Sequence, residues 1–258
     1  IEEVPAGGKI LLSFDFDPGS EGELKPMATA FTFQCVARNR VLRSQGKEPI
    51  KLYFMALWPV GPQMIDDAFS EVIDPYFNDM TYGKDYINLG FKSGGEGVIK
   101  TIMTNLLELY TTDSNGTSIE DFSIMNNVKD IKGMDLLVNI SAGSAGSKEW
   151  VQYAVAPTNN KLKLIAGCTG VQAPLLYPYI PTQLPGLLGA IKGAAEYEKL
   201  VVQNYGNLVE NQDGKVPGIF LEGQRRMGPQ LVAHLLMIGL IVVGNIIYFI
   251  GRSRGEIR

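Results

Sequence analysis

The residues able to do chemistry sit where short apolar runs end. Asp15 and Asp17 close Lys9–Phe16 (KILLSFDF), and Lys92 opens the loop Lys92-Ser93-Gly94-Gly95-Glu96-Gly97 after Asp85–Phe91. Ser141 begins Ser141-Ala142-Gly143-Ser144-Ala145-Gly146-Ser147 after the run that starts at Met134, and Gly167-Cys168-Thr169-Gly170 follows Lys161–Ala166. Carboxylates two residues apart on a strand share a face, so Asp15 and Asp17 are candidates to share a cation or one proton. Ser141 with Lys92 as its base is a nucleophilic arrangement that needs no imidazole. Cys168 is a second candidate nucleophile, dependent on a helix N-terminus or a lysine for activation. The single histidine, His234, lies in the most apolar stretch of the chain, which removes a Ser-His-Asp triad from consideration.

Gly19, Ser20, Ser93, Gly94, Gly95, Gly143, Ser144, Cys168 and Thr169 form the candidate ligand-binding set. Loops rich in glycine and hydroxyls ahead of a helix leave backbone N–H groups pointing outward at the positive end of its dipole, which suits a small anionic or polar ligand. KSGGEG is neither a Walker A loop, which needs its lysine after the glycines, nor GxGxxG, so no nucleotide or other cofactor is specified. Asp15-Phe16-Asp17 resembles the opening motif of the haloacid dehalogenase superfamily. That resemblance implies attack on phosphate by Asp15 and acid/base work by Asp17 around Mg²⁺. It covers a handful of residues: the second strand ends in Leu57-Trp58-Pro59 rather than in a Ser/Thr motif, and Asp66-Asp67 fall inside a helical stretch instead of closing a metal site.

The elements that must position these residues alternate. KILLSFDF, KLYFMALWP (Lys51–Pro59), DYINLGF (Asp85–Phe91), MDLLVNIS (Met134–Ser141) and KLKLIAGC (Lys161–Cys168) read as strands. Between them, Leu24, Met27, Ala28, Phe31 and Cys35 recur at helical spacing, as do Ile65, Ala68, Phe69, Val72, Ile73 and Tyr76, and Val98–Tyr110 is a third helical stretch. Ser20 with Glu23, and Ser93 with Glu96, have capping-box spacing. The rhythm predicts a doubly wound α/β domain with a mostly parallel sheet of five or more strands and helices on both faces. In such sheets the ligand crevice lies beyond the carboxyl ends of the strands, where the candidate residues gather. Thr111–Ser118 reads as a surface loop. Asn115-Gly116-Thr117 and Asn139-Ile140-Ser141 match the glycosylation pattern, the second at the end of a strand. Gln183–Val202 reads as a long helix whose small residues at Gly186, Gly189 and Gly193 admit a close subunit contact.

Composition bounds the partners. The 258 residues carry 23 Lys+Arg against 27 Asp+Glu, a net charge of −4 without a basic run, which argues against nucleic acid. Two cysteines exclude a disulfide framework and a cysteine-rich zinc site. Leu231–Ile250 (LVAHLLMIGLIVVGNIIYFI) is uncharged and long enough for a bilayer core, with Arg225 and Arg226 before it and Arg252 and Arg254 after it. Its polar residues, His234 and Asn245, suit contacts with other helices. These features divide the chain into a Rossmann-like α/β domain (1–202), a linker or arm (203–229), a transmembrane helix (230–251) and a short Arg-rich tail (252–258). The flanking charges do not choose a side of the membrane, and the start at Ile1 is expected to follow a removed signal peptide or further span. The first functional expectation is a binding or scaffold subunit of a membrane assembly, homo-oligomeric or joined to other membrane subunits. The rival is a membrane-tethered hydrolase or transferase acting on a phosphorylated or acyl substrate through Asp15, Asp17, Lys92 and Ser141.

Overall fold

In the computed structural model, residues 1–254 are described. Six parallel strands form one sheet: β1 (Lys9–Asp15), β2 (Lys51–Ala56), β3 (Tyr86–Phe91), β4 (Leu136–Ser141), β5 (Leu164–Cys168) and β6 (Gly186–Gly189), in the order β3-β2-β1-β4-β5-β6. Chain order reverses between β1 and β4, which pair from Ile10 opposite Leu136 to Asp15 opposite Ser141. The doubly wound expectation holds. The central strands are buried along nearly their whole length, as the continuous apolar runs require when both faces are covered.

One face carries α1 (Glu21–Ser44), α2 (Gly61–Ala68), which continues through a π turn into α3 (Asp74–Tyr76), and α7 (Ala190–Tyr205). The other carries α4 (Glu96–Ile102), α5 (Ser147–Trp150) with the π turn behind it, and α6 (Ala173–Leu176). Phe14 and Phe54 fill the first layer edge to face, while Leu11, Tyr53 and Trp150 fill the second.

The sixth strand corrects the sequence reading. Gly186-Leu187-Leu188-Gly189 pairs in parallel with Ile165–Cys168, so Gly186 and Gly189 belong to an edge strand and only Gly193 lies in a helix. A small-residue helical face containing all three does not exist. Pro185 disfavours a helix through residue 184, and the open edge of β5 offers the short segment a ladder, which periodicity in one segment cannot reveal. The Val98–Tyr110 helix is shorter too, ending at Ile102 ahead of a 3₁₀ turn at Leu106–Glu108 whose N–H at Leu107 is capped by the Asn105 side chain. Neither capping box forms: Ser20 makes no side-chain cap, Gly95 precedes α4, and Glu96 pairs instead with Lys100 at 3.1 Å.

The expected linker is also largely structured. Gln203–Tyr205 finish α7, Phe220 is buried against Phe33 with ring centroids 4.4 Å apart, and α8 begins at Glu222 rather than 230, running to Ser253. Its first turn is fixed to the body by Glu198 of α7, whose carboxylate accepts the Gly223 and Gln224 N–H groups at 2.9 and 3.0 Å. Those are donors that a helix start leaves orphaned. From Leu231 to Ile250 every residue is exposed. Among the described residues this is the one helix long and apolar enough to cross a membrane. Of the Arg-rich tail, Gly255–Arg258 lie outside the described residues.

Candidate ligand crevice

Asp15, at the point where strand order reverses, is fully buried and accepts three hydrogen bonds: Leu57 N at 2.6 Å, Ser13 Oγ at 2.7 Å and Asn139 Nδ2 at 2.6 Å. Burial pushes its carboxyl from the ordinary 3.8 up to about 7, against the opposing pull of these three donors. The buried Trp150 indole N–H lies near it without a hydrogen bond of proper geometry. Asp17 does not join it. The strand stops at Asp15, so alternation no longer governs Asp17, whose Oδ1 accepts the Ser20 N–H at 3.0 Å as a turn cap beside Gly19. The two carboxylates therefore hold separate local structures, and the shared-cation arrangement expected of them is not formed. Among the described residues no group of three or more His, Cys, Asp or Glu converges as a metal site.

The network continues outward from Asp15. Asn139 Oδ1 accepts Ser147 Oγ at 2.5 Å, and Ser147 Oγ lies 3.1 Å from Ser141 Oγ, which also accepts the Ser147 N–H at 3.2 Å. Asn139, one of the two glycosylation matches, is thus spent inside the core. Its amide oxygen cannot take a proton, so Ser147 is oriented without being activated. Lys92 is not placed as the base for Ser141: its Nζ stands over the Tyr110 ring, 5.5 Å from the centroid.

Ser141, Gly143, Ser144, Ser147, Lys148 and Glu149 form one wall of a cleft of about 270 Å³, and Gln172, Leu175 and Leu176 form the other. One side is polar and the other mainly apolar. Glu149 already occupies part of the loop's donor set, accepting Gly146 N at 2.8 Å and Ser144 Oγ at 3.1 Å. The space left therefore suits a polar group beside Lys148 better than an anion seated on loop N–H groups. Gly146 is required by close approach: a Cβ there would lie 2.3 Å from the Gly143 carbonyl oxygen and 2.6 Å from Ser141 Oγ.

The other predicted loops border this one unevenly. A Cβ on Gly95 would stand 3.4 Å from Ala145 Cβ, and Trp58 Nε1 donates to the Ala145 carbonyl at 2.9 Å, so the loops after β2, β3 and β4 meet around Ala145. Ser93 and Gly94 lie in the second of these loops, outside the cleft wall. The β5 loop divides: Gly170 N donates to Glu23 of α1 at 2.9 Å, while Gln172 faces the cleft. Cys168 is fully buried, and burial pushes its thiol up to about 12, which removes the thiolate a nucleophile needs. Thr169 buries a hydroxyl that has no partner. Sequence reasoning missed Asn139 as a linker between Asp15 and Ser147, and it missed Lys148, Glu149 and Gln172 as lining residues; the pairing of β1 with β4 brings Asn139 to Asp15, and the pairing of β4 with β5 brings Gln172 opposite the Ser141–Glu149 wall.

No protein-family model and no curated protein matches the chain. Among solved structures, one provisionally described as a UDP-N-acetylglucosamine 2-epimerase from Listeria monocytogenes is similar, at 9% identity and a TM-score of 0.32, over 78% of this chain and 43% of that one. The chain thus spans less than half of that protein's length, and the similarity is too slight to carry anything beyond itself.

Proposed function

We propose that this chain is a membrane-anchored α/β binding module: α8 crosses a bilayer, and the cleft beside Ser141–Ser147 holds a small polar ligand within a larger membrane assembly. The observation that carries the reading is the 2.5 Å hydrogen bond from Ser147 Oγ to Asn139 Oδ1. It leaves the crevice with shaped, oriented hydroxyls, and among the described residues no basic side chain hydrogen-bonds either Ser141 or Ser147, an arrangement suited to holding a ligand. The uncharged run in α8 and its arginine flanks support the anchor. Contacts with further copies or other membrane subunits would use the open side of β6, where Gly186 and Gly189 lie, rather than a helical face.

The rival, a hydrolase or transferase, has one observation in its favour, the buried Asp15 carboxyl held near neutrality. It would need Asp15 freed from Leu57, Ser13 and Asn139, and Lys92 brought from Tyr110 to Ser141. Native mass spectrometry of the full chain extracted from membranes in mild detergent tests both readings. The binding module is expected to retain a small-molecule mass that is lost on Lys148→Glu. A bare chain in every preparation, together with hydrolysis of p-nitrophenyl phosphate or acetate that Asp15→Asn abolishes, would replace it with the enzyme reading.

A further inference from the structure

The direction in which α8 leaves the body is set by its contacts with α1. Phe220 packs on Phe33, midway along α1, and Arg226 Nη1 then donates to the Gly22 carbonyl in the first turn of α1 at 2.9 Å. The chain therefore runs antiparallel to α1 and reaches the helix's N-terminal end, which in a parallel α/β sheet is the carboxyl edge of the strands. From Arg226 to the start of the apolar run at Leu231 the helix rises only about 7.5 Å, at about 1.5 Å per residue. The polar layer on one side of a bilayer is about 5–8 Å thick, half the difference between a total of about 40–45 Å and a core of about 30 Å. A span continuing along α8 thus brings the carboxyl-edge loops down to headgroup level.

Those loops expose apolar side chains. Val171, directly after β5, is 82% exposed and Leu175 in α6 is 57% exposed, and Val60 after β2 is exposed next to the half-buried Trp58. All follow the carboxyl ends of strands, on the edge from which α8 emerges. Leu175 also supplies the apolar wall of the cleft whose other wall is Ser144, Ser147 and Lys148. A cleft polar on one side and apolar on the other matches the boundary between headgroup and acyl chain.

We propose that the carboxyl edge of the sheet rests on the bilayer from which α8 emerges, with Val171 and Leu175 seated at headgroup depth, so that the Ser141–Ser147 cleft opens on the lipid surface. This rests on the reading of α8 as a span. The occupant of the edge is the lipid surface itself, because the rise from Arg226 to Leu231 leaves no room for a protein layer between the loops and the hydrocarbon.

The test uses the full chain with single added cysteines, Val171→Cys, Leu175→Cys, Lys161→Cys at the opposite sheet edge and Leu240→Cys within the apolar run. Cys35 and Cys168 are buried, so the folded parent takes up no label. Each variant is labelled with an environment-sensitive fluorophore in detergent and reconstituted into phosphatidylcholine vesicles whose lipids carry nitroxides either at the headgroup or on the acyl chain. The expected result is a blue shift and headgroup-nitroxide quenching at positions 171 and 175, acyl-chain quenching at 240, and neither effect at 161. Quenching at 240 with 171 and 175 behaving like 161 would overturn the edge-on docking and leave the anchor standing. Loss of quenching at 240 as well would overturn both.

Discussion

Arg226 of α8 donates to the Gly22 carbonyl that Pro26 leaves without a helical partner. Pro26 sits four residues after Gly22 inside α1 and has no N–H to return, so the first turn of α1 carries an orphaned acceptor. Arg226, which also pairs with Glu222, fills it, and the bond aligns the long apolar helix with α1. One sequence irregularity in the first helix thus supplies one of the contacts, beside those of Glu198 and Phe220, that set the exit of the last.

That relationship predicts a coupled pair of substitutions. Arg226→Ala is expected to cost about 1 kcal/mol, a modest amount because the guanidinium is partly exposed. Pro26→Ala restores an N–H to Gly22, so the double variant should lose less than the sum of the single ones. Unfolding in detergent of all four proteins reads the cycle, and strict additivity would show that the bond does not orient α8.

Glu198 should matter more. Glu198→Ala leaves the Gly223 and Gln224 N–H groups buried without acceptors, at an expected cost of about 1–3 kcal/mol, while Glu198→Gln keeps one acceptor and should lose clearly less. Hydrogen exchange over Gly218–Gln230 is the measurement: faster exchange there with the sheet unchanged is expected, and an unchanged rate would contradict the cap.

Asp15 makes stability depend on pH. Its folded value of about 7 lies above the ordinary 3.8, so between these limits the folded chain keeps a proton that the unfolded chain releases. Its contribution is greatest at low pH and falls as pH rises through that window, by roughly 4 kcal/mol in total. Asp15→Asn should remove this downward slope. Denaturant titrations at several pH values that show the same slope in both proteins would place the effect elsewhere.

Gly146→Ala should disorder the cleft wall. The added methyl would meet the Gly143 carbonyl and Ser141 Oγ well inside contact distance, so the β4–α5 loop must shift, at an expected cost of about 1–3 kcal/mol. Gly97→Ala in α4, where a Cβ meets nothing within 4 Å and the backbone is helical, is the uncrowded contrast. Equal stability losses in the two variants, followed by thermal unfolding, would mean that crowding at Gly146 is not what holds the loop.

The amino-acid sequence alone determined the alternation of strands and helices, the carboxyl-edge loops where the candidate residues gather, and the long uncharged apolar helix, because each is written in the apolar period of one contiguous segment. Tertiary structure decided the rest. β6 exists because β5 offers an open edge to Gly186–Gly189, and Asp15 parts from Asp17 because Leu57 and Asn139, distant in sequence, supply donors that Asp17 does not meet. Glu149 turned inward to its own loop, and Arg226 found the carbonyl freed by Pro26. The physical reason is the same in each case. Apolar periodicity is a local property of a segment, whereas the partner of a buried donor or acceptor is fixed only when strands and helices far apart in the chain are packed together.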